Sequence, residues 1–583
     1  MLVGRDAELA VLDALITQVK AGAGGVVLLT GEPGVGKTRL ARAGTERAAG
    51  AMVSWGACRE SEGAPPLWPW MQVLRHLGGP GIATGAAEGA AARYRLYERV
   101  EDTLREHAEA TPHLVVIDDL HRADEASLRL LAYLSETLWP ASIGMVVTYR
   151  DTEVPPASLT ANVVAGLARG PGRRRCELAG LSPASVAQWL GAAGLDGVDP
   201  ADLHARTGGN PLFISESIQL LTDGSRPDAP LRSVGEVIRE RLAPLPAGCR
   251  EALEVASVLG RDFEYPPLAA ALAISPAAAV AALDPAVNAR LIGPVGDRAG
   301  AYRFVHTLIR DAVEEQLASS RRAGLHARAF AALRDTGWGQ AADLAHHAVH
   351  GRPGVSDEVA ADAARSAAEA ADRVLAWEDA ATWWRTAIAL SQRRDGLDTD
   401  LEMRLGRSLL LAGQVDQARD CFEAAAREAA RTEDGEMLAA SALAAGDTVA
   451  EVAADHRLVA LLDLALRHPG VPPGPRARLT ARRAIATYWQ PSGQDESRRV
   501  SSQAVTLAEQ AGDTEALGAA LIARQFTLRG PGFGEDRLSA GLAVLDIAAR
   551  LGDQDLLFRA HQWLVPDRFQ AGALTEVAAD VER

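Results

Sequence analysis

Between Val26 and about Leu181, short apolar runs alternate with stretches whose apolar positions recur at helical spacing, the pattern of a parallel sheet covered by helices on both faces. The spacing predicts strands at Val26–Thr30, Met52–Gly56, Leu114–Asp118, Gly144–Tyr149 and Cys176–Leu178, with helices at about Thr38–Ala49, Arg93–Ala108 and Glu125–Leu138 between them. Ser182 as an N-cap and Pro183 in the first helical position open a helical region that runs to Leu221. Ser233–Ala332 reads as helical with a β-ribbon, Leu291–Val295 and Tyr302–Val305 around a turn at Gly296–Gly300, which together make a winged-helix pattern.

From about Gln340 onward, alanine-rich amphipathic helices recur in pairs. Ser502–Ala523 resembles Gly541–His561 at an offset of about 40 residues, and Ala511-Gly512-Asp513 and Leu551-Gly552-Asp553 mark the same turn in each copy. Small residues at helix contacts with that period suit a tetratricopeptide-like solenoid, in which each helix pair buries its apolar face against the next. The expected fold class is a multidomain chain: an α/β unit over residues 1–181, a P-loop unit by its Gly31–Thr38 match to GxxxxGK[ST], then a helical lid over 182–232, a winged helix over 233–336 and an all-α solenoid over 337–583. The last helix, Leu574–Arg583, has no polar capping repeat after it, so the chain is expected to be a piece of a longer protein.

Composition narrows the function. The chain has 583 residues, too many for one core, with 48% apolar and 23% charged residues. A net charge of −16 repels a phosphate backbone, so a large nucleic-acid surface is not expected. Cys58, Cys176, Cys249 and Cys421 are far apart and form no CxxC or Cys/His cluster, which suits a reducing cytoplasm better than a zinc or disulfide framework. The N-terminus has acidic residues where a signal peptide would be basic, and no apolar run approaches the roughly 20 residues that span a bilayer.

Lysine occurs only as Lys20 and Lys37, and the second stands in a motif. Gly31-Glu32-Pro33-Gly34-Val35-Gly36-Lys37-Thr38 matches GxxxxGK[ST] after a predicted strand and before a predicted helix, the context a P-loop needs; Arg39 follows it. The glycines let backbone N–H groups surround phosphates, Lys37 reaches toward the β- and γ-phosphates, and Thr38 offers its hydroxyl to Mg²⁺. About 75 residues on, an apolar strand ends in Asp118 and Asp119. Asp118 is placed to hold the metal and Asp119 to orient or deprotonate the attacking water. Arg150, after another apolar strand, is placed to sense the γ-phosphate. ATP or ADP with Mg²⁺ is the expected ligand.

Six segments taken together, Gly4–Leu9, the P-loop, Ile117–Asp124, Thr148–Arg150, Thr207–Phe213 and Arg303–His306, resemble the signal-transducing ATPases with numerous domains (STAND), and within that class the large ATP-binding LuxR-type transcriptional regulators of actinomycetes. The resemblance runs motif by motif over about residues 1–335 and extends beyond only in kind. It implies that Gly4 and Arg5, in the opening segment, lie against the adenine. It implies that Asn210 and Pro211 support the nucleotide from the lid, and that His306 contacts the β-phosphate of ADP in a resting state. It further implies slow hydrolysis, an inducer sensed by the repeats, and self-association with ATP bound. Those regulators end in a helix-turn-helix domain with no counterpart here, so direct DNA binding by this chain is not expected. The alternatives are a motor-type AAA ATPase and a non-enzymatic tetratricopeptide scaffold with structural nucleotide.

Other features read as ordinary. His346 and His350 have metal-ligand spacing, but with no carboxylate or cysteine pattern nearby they and His347 read as packing or a solvated face. Arg173-Arg174-Arg175 reads as a solvated loop cluster, and Trp68-Pro69-Trp70 as a buried anchor.

Overall fold

The computed structural model describes residues 2–58, 64–78, 90–139, 141–195, 197–222, 241–295, 300–391, 396–449, 455–490, 493–530 and 532–582. The chain forms two compact units, Met1–Leu390 and Ser391–Arg583.

The first unit opens on a parallel sheet. Among the described residues its strands are β1 (Gly25–Thr30), β2 (Met52–Ala57), β3 (His113–Asp118), β4 (Ile143–Thr148) and β5 (Arg173–Glu177), in the order β2-β3-β4-β1-β5. Every residue of β1, β3 and β4 is buried, because helices cover both faces; continuous apolar runs replace alternation for that reason. The edge strand β5 corrects an expectation. Arg173, Arg174 and Arg175 are not loop residues but pair with Val26, Val27 and Leu28 of β1. An edge strand can carry polar side chains: the Arg173 guanidinium donates to the carbonyls of Gly166 (2.7 Å) and Ser135 (2.6 Å).

A helix at Asp6–Lys20, undrawn from the pattern, packs Leu12, Leu15, Ile16 and Val19 into the sheet core. Trp70 is buried and its indole N–H donates to the Ser127 carbonyl at 3.1 Å, so this tryptophan is an anchor. The helical region expected from Pro183 to Leu221 consists of three helices, Pro183–Ala192, Pro200–Thr207 and Pro211–Thr222. Each begins with a proline, and Gly208 (φ 60°) and Gly209 (φ 72°) turn the chain between the second and third.

Next comes a small-sheet module. β6 (Asp262–Glu264), β8 (Ala301–Phe304) and β7 (Ile292–Pro294) lie side by side in that order, antiparallel, over a core that includes Leu253, Phe263, Leu283, Phe304 and Leu325. β6 was not expected from the sequence. Most of the turn drawn at Gly296–Gly300 and the expected boundary at 232–233 lie outside the described residues. The helices Thr307–Glu315 and Ser319–Thr336 follow, and then Ala341–His350 and Asp357–Arg373.

Among the described residues the second unit's regular elements are all helices. Gly493–Ala511 and Thr514–Thr527 are followed at an offset of about 40 by Gly534–Leu551 and Gln554–Gln570. Asp513 and Asp553 cap the second helix of each pair, accepting from the N–H of Ala516 (2.9 Å) and Leu556 (3.0 Å), which is why Gly-Asp recurs. Ala477, Ala504, Ala516 and Ala520 are fully buried, so the helices approach closely. No single described helix is long and apolar enough to cross a membrane.

Candidate functional site

The loop Gly31–Lys37 joins β1 to the helix Lys37–Glu46. Its glycines are required by space as well as backbone. At Gly31 (φ 139°) a Cβ would lie 2.5 Å from the Leu178 carbonyl, and at Gly34 (φ 79°) it would meet Leu212 Cβ at 2.9 Å and Asn210 Oδ1 at 3.0 Å. Lys37 is buried, and its ammonium donates to the carbonyls of Gly31 (2.6 Å) and Glu32 (2.9 Å). Burial first, and then the charge of Arg150, hold it down at about 8, against the pull of Asp119, Asp118 and Asp151. The buried ammonium at this helix N-terminus is placed to meet an anionic ligand.

The strand order explains how the acids meet the loop. β4 lies between β1 and β3, so Thr148 at the end of β4 stands beside the acids that end β3. Asp118, buried, accepts from the Thr148 hydroxyl (2.6 Å) and the Thr38 hydroxyl (3.0 Å). Asp119 turns away in left-handed backbone (φ 59°), its N–H donating to the Thr148 oxygen at 2.9 Å. Burial, and secondly the Asp119 charge, raise the Asp118 carboxyl to about 6. Thr38 and Asp118 together present only oxygen donors, the kind Mg²⁺ takes.

Arg150 is buried after β4; its guanidinium pairs with Glu153, and its backbone N–H points at His121 Nδ1 (3.4 Å). His121 is itself held near 4, chiefly by burial. Asn210 ties the lid to the loop: its amide N–H donates to the Pro33 carbonyl at 2.9 Å, and its oxygen accepts from the N–H of Leu212 at 3.1 Å, just after Pro211 begins its helix. Arg5 does the same from the N-terminus, donating to the carbonyls of Val35 (3.2 Å) and Ala179 (2.7 Å) while pairing with Glu8. Gly4 (φ 63°) is pressed so closely on the helix Pro183–Ala192 that a Cβ would lie 2.1 Å from Ser185 Oγ.

The small-sheet module reaches the same place. Arg261 Nη1 lies 3.6 Å from Asp119 Oδ2. His306, half-buried, begins the helix Thr307–Glu315; burial and then the charges of Arg261, Arg241 and Arg39 lower it to about 4. Arg241 in turn pairs with Glu216 of the lid. Loop, acids, Arg150, lid, N-terminal segment and His306 are thus within one neighbourhood. Sequence reasoning gave Thr148 no role beyond its place in the Thr148–Arg150 segment, although a hydroxyl ending an apolar strand was a signal, and left out Arg261, for which there was none.

Comparison with known proteins gives a family match over part of the chain: residues 1–147 fit the family described as AAA ATPase domain. No curated protein matches the sequence at a significant level. Among solved structures, a signal transduction ATPase with numerous domains (STAND) with a tetratricopeptide repeat sensor, from Pyrococcus horikoshii, aligns at 16% identity with a TM-score of 0.48, over 100% of this chain and 82% of that one. RuvB of Thermotoga maritima aligns at 15% identity and a TM-score of 0.24, over 53% and 94%. The replication initiator DnaA, bound to AMPPCP and single-stranded DNA, aligns at 12% and 0.25, over 67% and 96%. The family match and the phosphate-loop geometry agree on one statement: this chain carries an AAA-type P-loop ATPase domain at its N-terminus, followed by a long helical region.

Proposed function

We propose that this chain is a nucleotide-controlled signalling switch of the STAND kind, a transcriptional regulator or part of one, with slow ATP hydrolysis as its timer. The observation that supports the reading is the contact of Arg261 with Asp119: a module outside the ATPase sheet has a cation 3.6 Å from the carboxylate to which we assign the attacking water. Taken as a winged helix, the small-sheet module then acts as a clamp, not as a DNA reader.

Lys37 and the loop amides hold the phosphates, and Thr38 with Asp118 would hold Mg²⁺. When bound, ATP with Mg²⁺ supplies the bond whose cleavage resets the switch. Asp119 orients the attacking water only when Arg261 has left it, so closure restrains turnover. His306, kept neutral at pH 7, donates an N–H toward an anion in a pocket that Arg39, Arg241 and Arg261 make positive. Such a charge-assisted bond contributes about 1.5–3 kcal/mol to the closed, ADP-bound state. An inducer on the tetratricopeptide-like repeats, with ATP in place of ADP, opens the clamp and permits self-association. Moving such a switch from 1% to 99% open takes about 5.5 kcal/mol of combined preference. The compartment proposed is the cytoplasm, with no DNA bound by this chain.

The test is His306→Ala with Arg261→Ala, measuring ADP and ATP affinity by calorimetry and self-association by light scattering. His306→Ala should weaken ADP about ten- to a hundredfold with ATP little changed, and Arg261→Ala should speed ATP turnover. Equal losses for both nucleotides, or no change in either variant, would remove the clamp from the account.

A further inference from the structure

Four of the chain's 13 histidines meet at one place away from the phosphate loop. His326 comes from the helix Ser319–Thr336, and His346, His347 and His350 from the helix Ala341–His350. The ring centroids of His326, His346 and His347 are each 5.2 Å from the others, and His346 and His350 are 4.3 Å apart. One ring nitrogen from each of His326, His346 and His347 falls within 4.8 Å of the other two, and His326 Nδ1 is 3.0 Å from His347 Nδ1. A tetrahedral ion with bonds of roughly 2.0–2.1 Å needs its nitrogens roughly 3.4 Å apart, which small side-chain rotations supply.

We propose that His326, His346 and His347 bind one borderline transition-metal ion, zinc(II) by preference, which staples the helix Ala341–His350 to the helix Ser319–Thr336. Three imidazoles without a thiolate or carboxylate in the set favour zinc, copper(II) or nickel(II) over magnesium or calcium. The fourth position falls to water or to His350, which is exposed at the rim. Burial above all keeps His326 (about 4), His347 (about 3) and His346 (about 2) neutral, each with a lone pair to give. The nearest cations are offset: Arg310 pairs with Asp311 (3.1 Å) and Glu314 (3.4 Å), and Arg322 also faces Glu314.

The location gives the ion a role. Leu325, Ala329 and Ala332 on the helix Ser319–Thr336 are part of the small-sheet core, whereas Phe330 packs with Ala348 and Ala361 of the helices that follow. This helix is common to both cores, and an ion on His326 fixes its neighbour to it.

The experiment uses the full chain, stripped with a chelator and without nucleotide, titrated with ZnCl₂ against a chromophoric competitor, and with CoCl₂ followed by visible absorption. The expected result is one ion per chain with a Kd of about 1 µM or tighter, and intense d–d bands of tetrahedral cobalt. His326→Gln and His347→Gln should each weaken zinc by at least about a hundredfold, beyond the usual ~10–100-fold effect of outer-shell changes, with unchanged circular dichroism. Asp118→Asn should leave it unaltered, separating this site from the phosphate loop. Failure to hold zinc at ten times that concentration, equal affinity in the glutamine variants, or only weak octahedral cobalt bands would overturn the proposal. The cobalt spectrum of the wild-type chain decides even if the variants misfold.

Discussion

Asp118→Asn should make the nucleotide-free protein more stable at neutral pH, although it removes a residue proposed to hold a metal. Asp118 is buried and keeps its proton to about 6, against an ordinary carboxyl value of 3.8. The folded state therefore retains a proton that the unfolded chain has released. Stability is unaffected by this group below 3.8 and falls as pH rises from there through about 6, above which the penalty levels off. That span corresponds to roughly 3 kcal/mol of cost for the ionised form at pH 8, and to about half of it at pH 5. Asparagine keeps an oxygen for the hydroxyls of Thr38 and Thr148, so the hydrogen bonds at 3.0 and 2.6 Å survive and the charge alone is lost. Urea unfolding without nucleotide or divalent ions should show the gain at pH 8 and a smaller one at pH 5. With saturating ATP and Mg²⁺ the order should reverse, because only the parent carboxylate balances the ion. A variant less stable than its parent at pH 8, or equally stabilised at both pH values, would refute the reasoning.

Lys37→Ala should abolish nucleotide binding, measured by calorimetry with ATP and Mg²⁺, while the fold persists; unchanged affinity would end the phosphate-loop assignment. Asp119→Asn should bind ATP as the parent does yet hydrolyse it at least about tenfold more slowly, as expected for loss of a water-orienting base, and a parental rate would assign that role elsewhere. Glu378 is buried between Arg93 (3.1 Å) and Arg129 (3.0 Å), and Glu378→Gln should cost about 2 kcal/mol in urea unfolding, below the full cost of a broken buried pair because Arg129 is partly exposed. No loss would show that water already screens this cluster.

Legibility followed the range over which each feature is specified. The P-loop was readable because its chemistry is local: eight consecutive residues set the backbone turn, the cation and the hydroxyl. β1, β3 and β4 are readable because burial on both faces leaves continuous apolar runs, whereas β5 is readable only at its end: the strand expected at Cys176–Leu178 starts at Arg173, since an edge strand can be written in arginine. The lid read as one helical region because each of its breaks lies at a proline-led start that periodicity alone does not resolve.

What escaped was whatever depends on two distant segments meeting. Arg261 carries no mark of its contact with Asp119, about 140 residues earlier. Thr148 becomes a bridge only because the strand order sets β4 between the loop and the acids. His346, His347 and His350 looked like packing because the imidazole that changes their meaning, His326, is on another helix. The ionisation of Asp118 and Lys37 belongs to this same class. Neither residue alone is abnormal: burial by distant segments shifts each first, and the charge of Arg150 after β4 then acts on Lys37, whereas the charge that acts on Asp118 is that of its own neighbour Asp119. The phosphate loop is therefore a property of its residues, but the burial that shifts the ionisation of Lys37 and Asp118 is a property of the fold.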